Sequence, residues 1–143
     1  MRIRDVLAAK ANPTVQTVTP DLSVRDLVSR LAEHNVGALV VSRDGASVDG
    51  IVSERDVVRH LHSNPDVLSA EVRSIMTTEV HTCAPDEDLD ELMGAMTERR
   101  IRHVPVLDRG RMVGIVSIGD VVKHKISALQ FERDQLDSYV HQT

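Results

Sequence analysis

Gly50-Ile51-Val52-Ser53-Glu54-Arg55-Asp56-Val57-Val58-Arg59 is written a second time, with few changes, as Gly114-Ile115-Val116-Ser117-Ile118-Gly119-Asp120-Val121-Val122-Lys123. In each copy a short β-branched run ends at a serine, and an apolar pattern of helical spacing begins at once. The repetition extends upstream. Pro20-Asp21-Leu22-Ser23-Val24 corresponds to Pro85-Asp86-Glu87-Asp88-Leu89. Val24, Leu27, Val28 and Leu31 then fall at the spacing of one helix face, and so do Leu89, Leu92, Met93 and Met96. Ser23 and Asp88 stand where an N-cap belongs. Between helix and motif, Val36-Gly37-Ala38-Leu39-Val40-Val41 matches Ile101-Arg102-His103-Val104-Pro105-Val106. Both runs predict a strand, closed by a turn at Arg43-Asp44-Gly45 or Asp108-Arg109-Gly110.

Each half therefore reads extended segment, helix, strand, strand, helix, the extended segments being 15–18 and 80–83. A unit of about 60 residues buries too little apolar surface to be secure alone. The expected fold is α+β (α/β): two pseudo-symmetric β-α-β-β-α repeats packed through their sheets, plus a C-terminal helix. The chain divides into a first repeat over 1–62, a linker over 63–71, a second repeat over 72–125 and a helical extension over 126–143. Asn64-Pro65-Asp66 marks the linker. Val122, Ile126, Leu129, Leu136 and Val140 give the extension a partial helical stripe.

Composition narrows the function. With 41% hydrophobic and 27% charged residues the chain is an ordinary globular sequence. One Phe, one Tyr and no Trp leave no aromatic platform for single-stranded nucleic acid, and the net charge of −5 argues against DNA or RNA as a partner. The single cysteine, Cys83, excludes an internal disulfide and a cysteine-cluster metal site, and reads as a small buried hydrophobe. His60 and His62 are the only close histidine pair and lie beside a loop. No apolar run approaches a membrane span, and the opening Met1-Arg2-Ile3-Arg4-Asp5 lacks a signal segment, so the expectation is a cytoplasmic protein with no membrane or nucleic-acid partner. No P-loop, nucleophile elbow or Glu-flanked histidine pair is present, which points away from an enzyme.

The Ser-x-x-Asp pairs Ser53/Asp56 and Ser117/Asp120 admit two readings. One is a capping box, in which serine and acid close the helix N-terminus on each other. The other is a ligand site. The helix N-terminus and the serine hydroxyl suit a phosphate, and a carboxylate one turn in suits two vicinal ribose hydroxyls.

Gly-apolar-Val-Ser-x-x-Asp at a strand-to-helix junction, present twice, resembles the tandem CBS (cystathionine β-synthase) domain pair, or Bateman module. The likeness covers 3–126, and the runs around Ser53, Arg102 and Ser117 are similar to a stand-alone bacterial subgroup. The resemblance implies two clefts between the repeats. One would set Ser53 and Asp56 against Thr82, Ile101, Arg102 and His103; the other would set Ser117 and Asp120 against Thr17, Val36, Gly37 and Ala38. Aspartate would hold ribose hydroxyls, serine ribose or phosphate, and the threonine and middle strand the adenine edge. Arg102 and His103 single out the Asp56 cleft as the main phosphate site, and Lys123 or Arg59 is a helper for the second. The implied ligand is an adenine nucleotide: AMP, ADP, ATP or NAD(H), with S-adenosylmethionine less suited to the cations. It would be sensed without turnover in a homodimer, and the state reported to a client on a separate chain. The alternative is a ligand-free interaction or scaffold dimer whose Ser-x-x-Asp segments are caps alone. Pro105, placed within a strand, predicts an edge or an irregularity.

Overall fold

The computed structural model describes residues 1–10 and 15–141. The order is α1 (Ile3–Ala8), β1 (Thr17–Val18), α2 (Val24–His34), β2 (Ala38–Val41), β3 (Gly50–Ser53), α3 (Glu54–Ser63), two 3-10 turns (Pro65–Ser69 and Val72–Ser74), α4 (Leu89–Arg99), β4 (His103–Asp108), β5 (Arg111–Ser117) and α5 (Ile118–His141). The first repeat forms a three-stranded sheet in the order β1-β2-β3, with β1 parallel and β3 antiparallel to β2. The second forms the antiparallel pair β4-β5, and its counterpart of β1 shrinks to one parallel bridge from Cys83 to Val106. The expected mixed architecture of two repeats and a C-terminal helix is present. No helix among the described residues is long and apolar enough to cross a membrane.

Local chemistry places the helices as expected. The Ser23 hydroxyl accepts from the Asp26 N–H at 3.1 Å, and the Asp88 carboxylate accepts from the Glu91 N–H at 3.3 Å. Both helices end on a left-handed residue, Asn35 with φ 52° and Arg100 with φ 56°. Three of the four residues on each face are core residues: Val24, Leu27 and Leu31, and Leu89, Leu92 and Met96. Val28 is 40% exposed, because its place on the helix turns past the sheet.

Packing does not follow chain order. Ile3 and Val6 of α1 are buried in the core of the second repeat with Leu89, Met96, Val104 and Val116. Val72 and Ile75, which open the second repeat in sequence, are buried in the first core with Val24, Leu27, Leu39 and Val52. Equivalent backbone bonds seat the two exchanged segments. Ile3 and Arg4 donate to the carbonyls of Glu87 and Pro85, and Val72 and Arg73 donate to those of Leu22 and Pro20. The residues predicted as a linker belong to this arrangement: Pro65–Ser69 forms a 3-10 turn whose Val67 is only 2% exposed in the first core.

The exchange explains the glycine that opens each repeated motif. A Cβ at Gly50 would lie 2.8 Å from the Thr77 carbonyl oxygen and 2.8 Å from the Met76 sulfur. One at Gly114 would lie 2.7 Å from Cδ2 of Leu7. The incoming segment is thus laid directly on the strand, and at Gly50, where the near neighbour is backbone, only a residue without a side chain fits unshifted.

Other departures are local. Pro105 sits within β4, opposite Ile115, where its missing N–H faces the side on which only Cys83 pairs; the Cys83 N–H donates to its carbonyl at 3.1 Å. The register slips between Val106 and Leu107, beyond the regularly paired Pro105. The 80–83 segment contributes only its last residue to a sheet. The C-terminal extension, predicted over 126–143, is continuous with the helix of the second motif from Ile118; its last two residues lie outside the described residues.

The close approaches differ in what must yield, and a substitution reads the difference. Gly50→Ala meets a backbone carbonyl and should cost about 1–3 kcal/mol in urea unfolding, whereas Gly114→Ala meets the flexible end of Leu7 and should cost less. Leu7→Ala should recover part of the Gly114→Ala loss and none of the Gly50→Ala loss.

Candidate functional site

Both Ser-x-x-Asp segments form complete capping boxes. The Ser53 N–H donates to Asp56 Oδ2 at 2.8 Å, the Ser53 hydroxyl donates to the same oxygen at 3.1 Å, and the Asp56 N–H donates back to Ser53 Oγ at 3.3 Å. The Ser117 N–H donates to Asp120 Oδ2 at 3.0 Å, and the Asp120 N–H to Ser117 Oγ at 3.1 Å. The cap uses one carboxylate oxygen of Asp56. Among the described residues no hydrogen bond to the other is present.

Asp56 opens onto a cleft of about 390 Å³ between the repeats. From the first repeat it is lined by Gly37, Ala38, Ile51, Ser53, Glu54, Arg55, Asp56 and Arg59, and from the second by Arg100, Ile101, Arg102 and His103, with Thr77, Glu79, Val80 and His81 between. Four guanidinium groups against three carboxylates give a ligand with phosphate groups several partners.

The structure brings Ser53, Asp56, Ile101, Arg102 and His103 together. Thr82 does not line this cleft; its neighbours Val80 and His81 do. Gly37 and Ala38, expected opposite Ser117 and Asp120, lie in the cleft with Ser53. Strand register is the reason. Ala38 pairs with Ser53, and the Glu54 N–H donates to the Gly37 carbonyl at 2.9 Å. By the same register His103 pairs with Ser117, and the Ile118 N–H donates to the Arg102 carbonyl at 2.8 Å. The start of each middle strand is therefore tied to its own repeat's serine, and that of β4 also faces the other repeat across the cleft. Thr17 begins β1 opposite Val40, and Val36 is 38% exposed at the end of α2. Lys123 lies on a shallow groove of α5, outside the cleft.

The second motif is filled from within the chain. Lys10, just beyond α1, places its ammonium 3.0 Å from Asp120 Oδ2 and donates to the Ile115 carbonyl at 2.8 Å. Burial raises the Asp120 carboxyl, but the Ser117 N–H and the Lys10 ammonium outweigh it and hold it below the usual carboxylate range. Among the described residues the first repeat has no counterpart. There the exchanged segment runs on as irregular chain, and the Ile51 carbonyl accepts from the Thr77 N–H at 2.9 Å. His103 is influenced from both repeats. Burial, above all, pushes its imidazole below its ordinary value; Lys10 and Arg102 add to that, and Asp120 and Glu54 oppose it.

Sequence reading missed Lys10, Arg55, Arg100 and Glu79. Arg55 was legible in the motif, four residues before Arg59 and so on the same helix face. Arg100 adjoins the expected Ile101 and Arg102 as the left-handed C-cap of α4; Lys10 and Glu79 carried no signal, since the exchange of segments brings them there. Cys83 is 4% exposed, and burial pushes its thiol up to about 12, as suits a packed hydrophobe. No cluster of metal-ligating side chains occurs among the described residues.

Comparison with known proteins agrees with this geometry. The family model of the CBS domain matches residues 3–63 and again 72–127. The chain is similar to CBS domain-containing protein CBSX3, mitochondrial, of Arabidopsis thaliana, at 37% identity over 96% of this chain and 71% of the relative. It is also similar to the crystal structure of the CBS-domain containing protein ATU1752 from Agrobacterium tumefaciens, at 40% identity and a TM-score of 0.83, over 87% of this chain and 99% of that one. The CBS domain pair of protein MJ0100, solved in complex with 5-methylthioadenosine and S-adenosyl-L-methionine, superposes with a TM-score of 0.77 at 26% identity, over 90% of this chain and 98% of that one. The chain belongs to the CBS domain family and carries the domain as a tandem pair.

Proposed function

We propose that the protein is a regulatory module that binds one phosphate-bearing adenine nucleotide (AMP, ADP, ATP or NAD(H)) in the Asp56 cleft and signals its occupancy to a separate client protein. The observation that carries the reading is the composition of that cleft. It joins a helix N-terminus and the Asp56 carboxylate on one repeat to Arg100, Arg102 and His103 on the other. A ribose on Asp56 and a phosphate on the arginines would tie the repeats together. Binding then favours whichever packing of the repeats closes on the ligand. The adenosine-containing ligands of the MJ0100 pair support the ligand class, and the arginines favour phosphate over the sulfonium of S-adenosylmethionine. The second cleft is read as closed to ligand, because Lys10 already neutralises Asp120. One observation favours the alternative of a ligand-free scaffold: both serine and aspartate pairs are satisfied as caps.

Thermal unfolding against AMP, ADP, ATP, NAD, NADH, 5-methylthioadenosine and S-adenosylmethionine tests the reading. At a hundred times its dissociation constant the ligand should add about 2.7 kcal/mol. Asp56→Asn keeps a cap acceptor and should lose the shift, and Asp120→Asn should retain it. No shift with any compound would leave the scaffold reading.

The Lys10 pair has its own signature. Lys10→Met should cost about 1–3 kcal/mol near pH 7, the worth of a hydrogen bond to a charged group. The Asp120 carboxyl is depressed in the folded state, so the pair's stabilisation is complete above the ordinary carboxylate pKa and is lost as pH falls through the folded value. Wild type and Lys10→Met should therefore draw closer in stability in strong acid, the remaining difference being the Lys10 bond to the Ile115 carbonyl.

His103 links binding to pH. Its imidazole is depressed in the free protein, and an anionic phosphate beside it would raise it, so binding takes up a proton. Isothermal titration should show wild type gaining affinity relative to His103→Gln as pH falls through the imidazole's value in the complex. Parallel pH profiles would exclude His103 from the phosphate's surroundings.

A further inference from the structure

We propose that the hydrogen bond from the Met112 N–H to the Ala46 carbonyl is a fulcrum on which two packed bodies rock, opening and closing the Asp56 cleft at the opposite end of the strands. The bodies are set by packing rather than by chain order. One holds residues 15–77 around the first core, and the other holds 1–10 and 83–141 around the second; no residue belongs to both cores. Among the described residues every ion pair stays within one body, and the Met112–Ala46 bond, at 2.8 Å, is the one hydrogen bond that joins them. Two units tied by so little polar contact move relative to each other by default.

Strand register puts the tie and the cleft at opposite ends. Ala38 pairs with Ser53 and His103 with Ser117, and Ala38, Ser53 and His103 line the cleft. Ala46 lies in the loop beyond the other end, where Val41 pairs with Gly50, and Met112 pairs with Leu107 next to the β4-β5 turn. From His103 to Leu107 is about 13 Å of strand. A rotation about the tie therefore keeps the turn ends together and moves the cleft walls, with Asp56 on one body and Arg102 and His103 on the other.

The acceptor is held in place. Asp44 Oδ1 accepts from the Ala46 N–H at 2.9 Å, the Ser47 N–H at 2.8 Å and the Ser47 hydroxyl at 2.9 Å, and the Gly45 N–H donates to Ser42 Oγ at 2.9 Å. The Ser47 N–H and the Ala46 carbonyl belong to one planar trans peptide, so Asp44, in fixing the first, aims the second. The Arg43 guanidinium meets Asp49 Oδ1 at 2.9 Å and closes the base of the loop. The donor, Met112, is carried by β5 itself.

Spin-label distances on the full chain test the rocking without any ligand, and so independently of the nucleotide reading. α2 and α4 run back along their strands, with the exposed Glu33 and Glu98 near the cleft end and the exposed Arg25 and Glu91 near the turn end. Cys83 is buried and stays in place. The pair Glu33→Cys with Glu98→Cys should give a wider distance distribution than Arg25→Cys with Glu91→Cys. Equal widths, whether narrow or broad, would overturn the proposal, and so would a wider turn-end pair. Asp44→Ala should lose the hydrogen-exchange protection of the Met112 amide and widen the turn-end pair, whereas Asp44→Asn, which keeps the acceptor, should retain both. An unchanged turn-end distribution in Asp44→Ala, or a Met112 amide that exchanges freely in the wild type, would overturn the bond's role as fulcrum.

Discussion

The bare Cα of Gly50 and its counterpart at Gly114 permit the contact on which the rest of the molecule depends. Each lets an incoming segment lie directly on the strand that carries the motif. The segment before the second repeat closes the first core, and the segment before the first repeat closes the second. Neither repeat's core is complete without a piece contributed from the other's side of the sequence. The two cores are consequently linked, and the space between the motifs is set by the same contacts that stabilise them. A ligand cleft at such a boundary is well placed to sense or alter the relation of the repeats.

The exchange also breaks the symmetry. In the second repeat the incoming segment is a helix followed by Lys10, whose side chain reaches the Ile115 carbonyl and Asp120. In the first it is a short 3-10 turn followed by irregular chain, and a backbone N–H takes the equivalent carbonyl of Ile51. One motif thus carries a lysine ammonium on its carboxylate. The other opens into a cleft that Glu79 and His81, from the chain beyond that turn, help to line. Two nearly identical stretches of sequence become a closed site and an open one through what lies above them.

Much of this was legible beforehand because it is local. Ser23, Asp88, Ser53 and Ser117 cap helices, for which a side-chain oxygen and the next turn of backbone suffice. The core faces of α2 and α4 follow from helical spacing alone. Ser53, Asp56, Arg102 and His103 were expected together and do share a cleft. Gly37 and Ala38, expected against the second motif, line the cleft with Ser53, because strand pairing joins residues remote in sequence.

The sequence by itself determined the repeat, its elements and the caps at the motifs, since these depend on short-range periodicity and on groups within one helical turn of each other. Only the tertiary structure decided which segment closes which core, which aspartate is neutralised and which stays open. Those outcomes rest on contacts between residues tens of positions apart, such as Lys10 with Asp120 and Thr77 with Ile51. No local pattern records them, because they arise when the two halves are folded together.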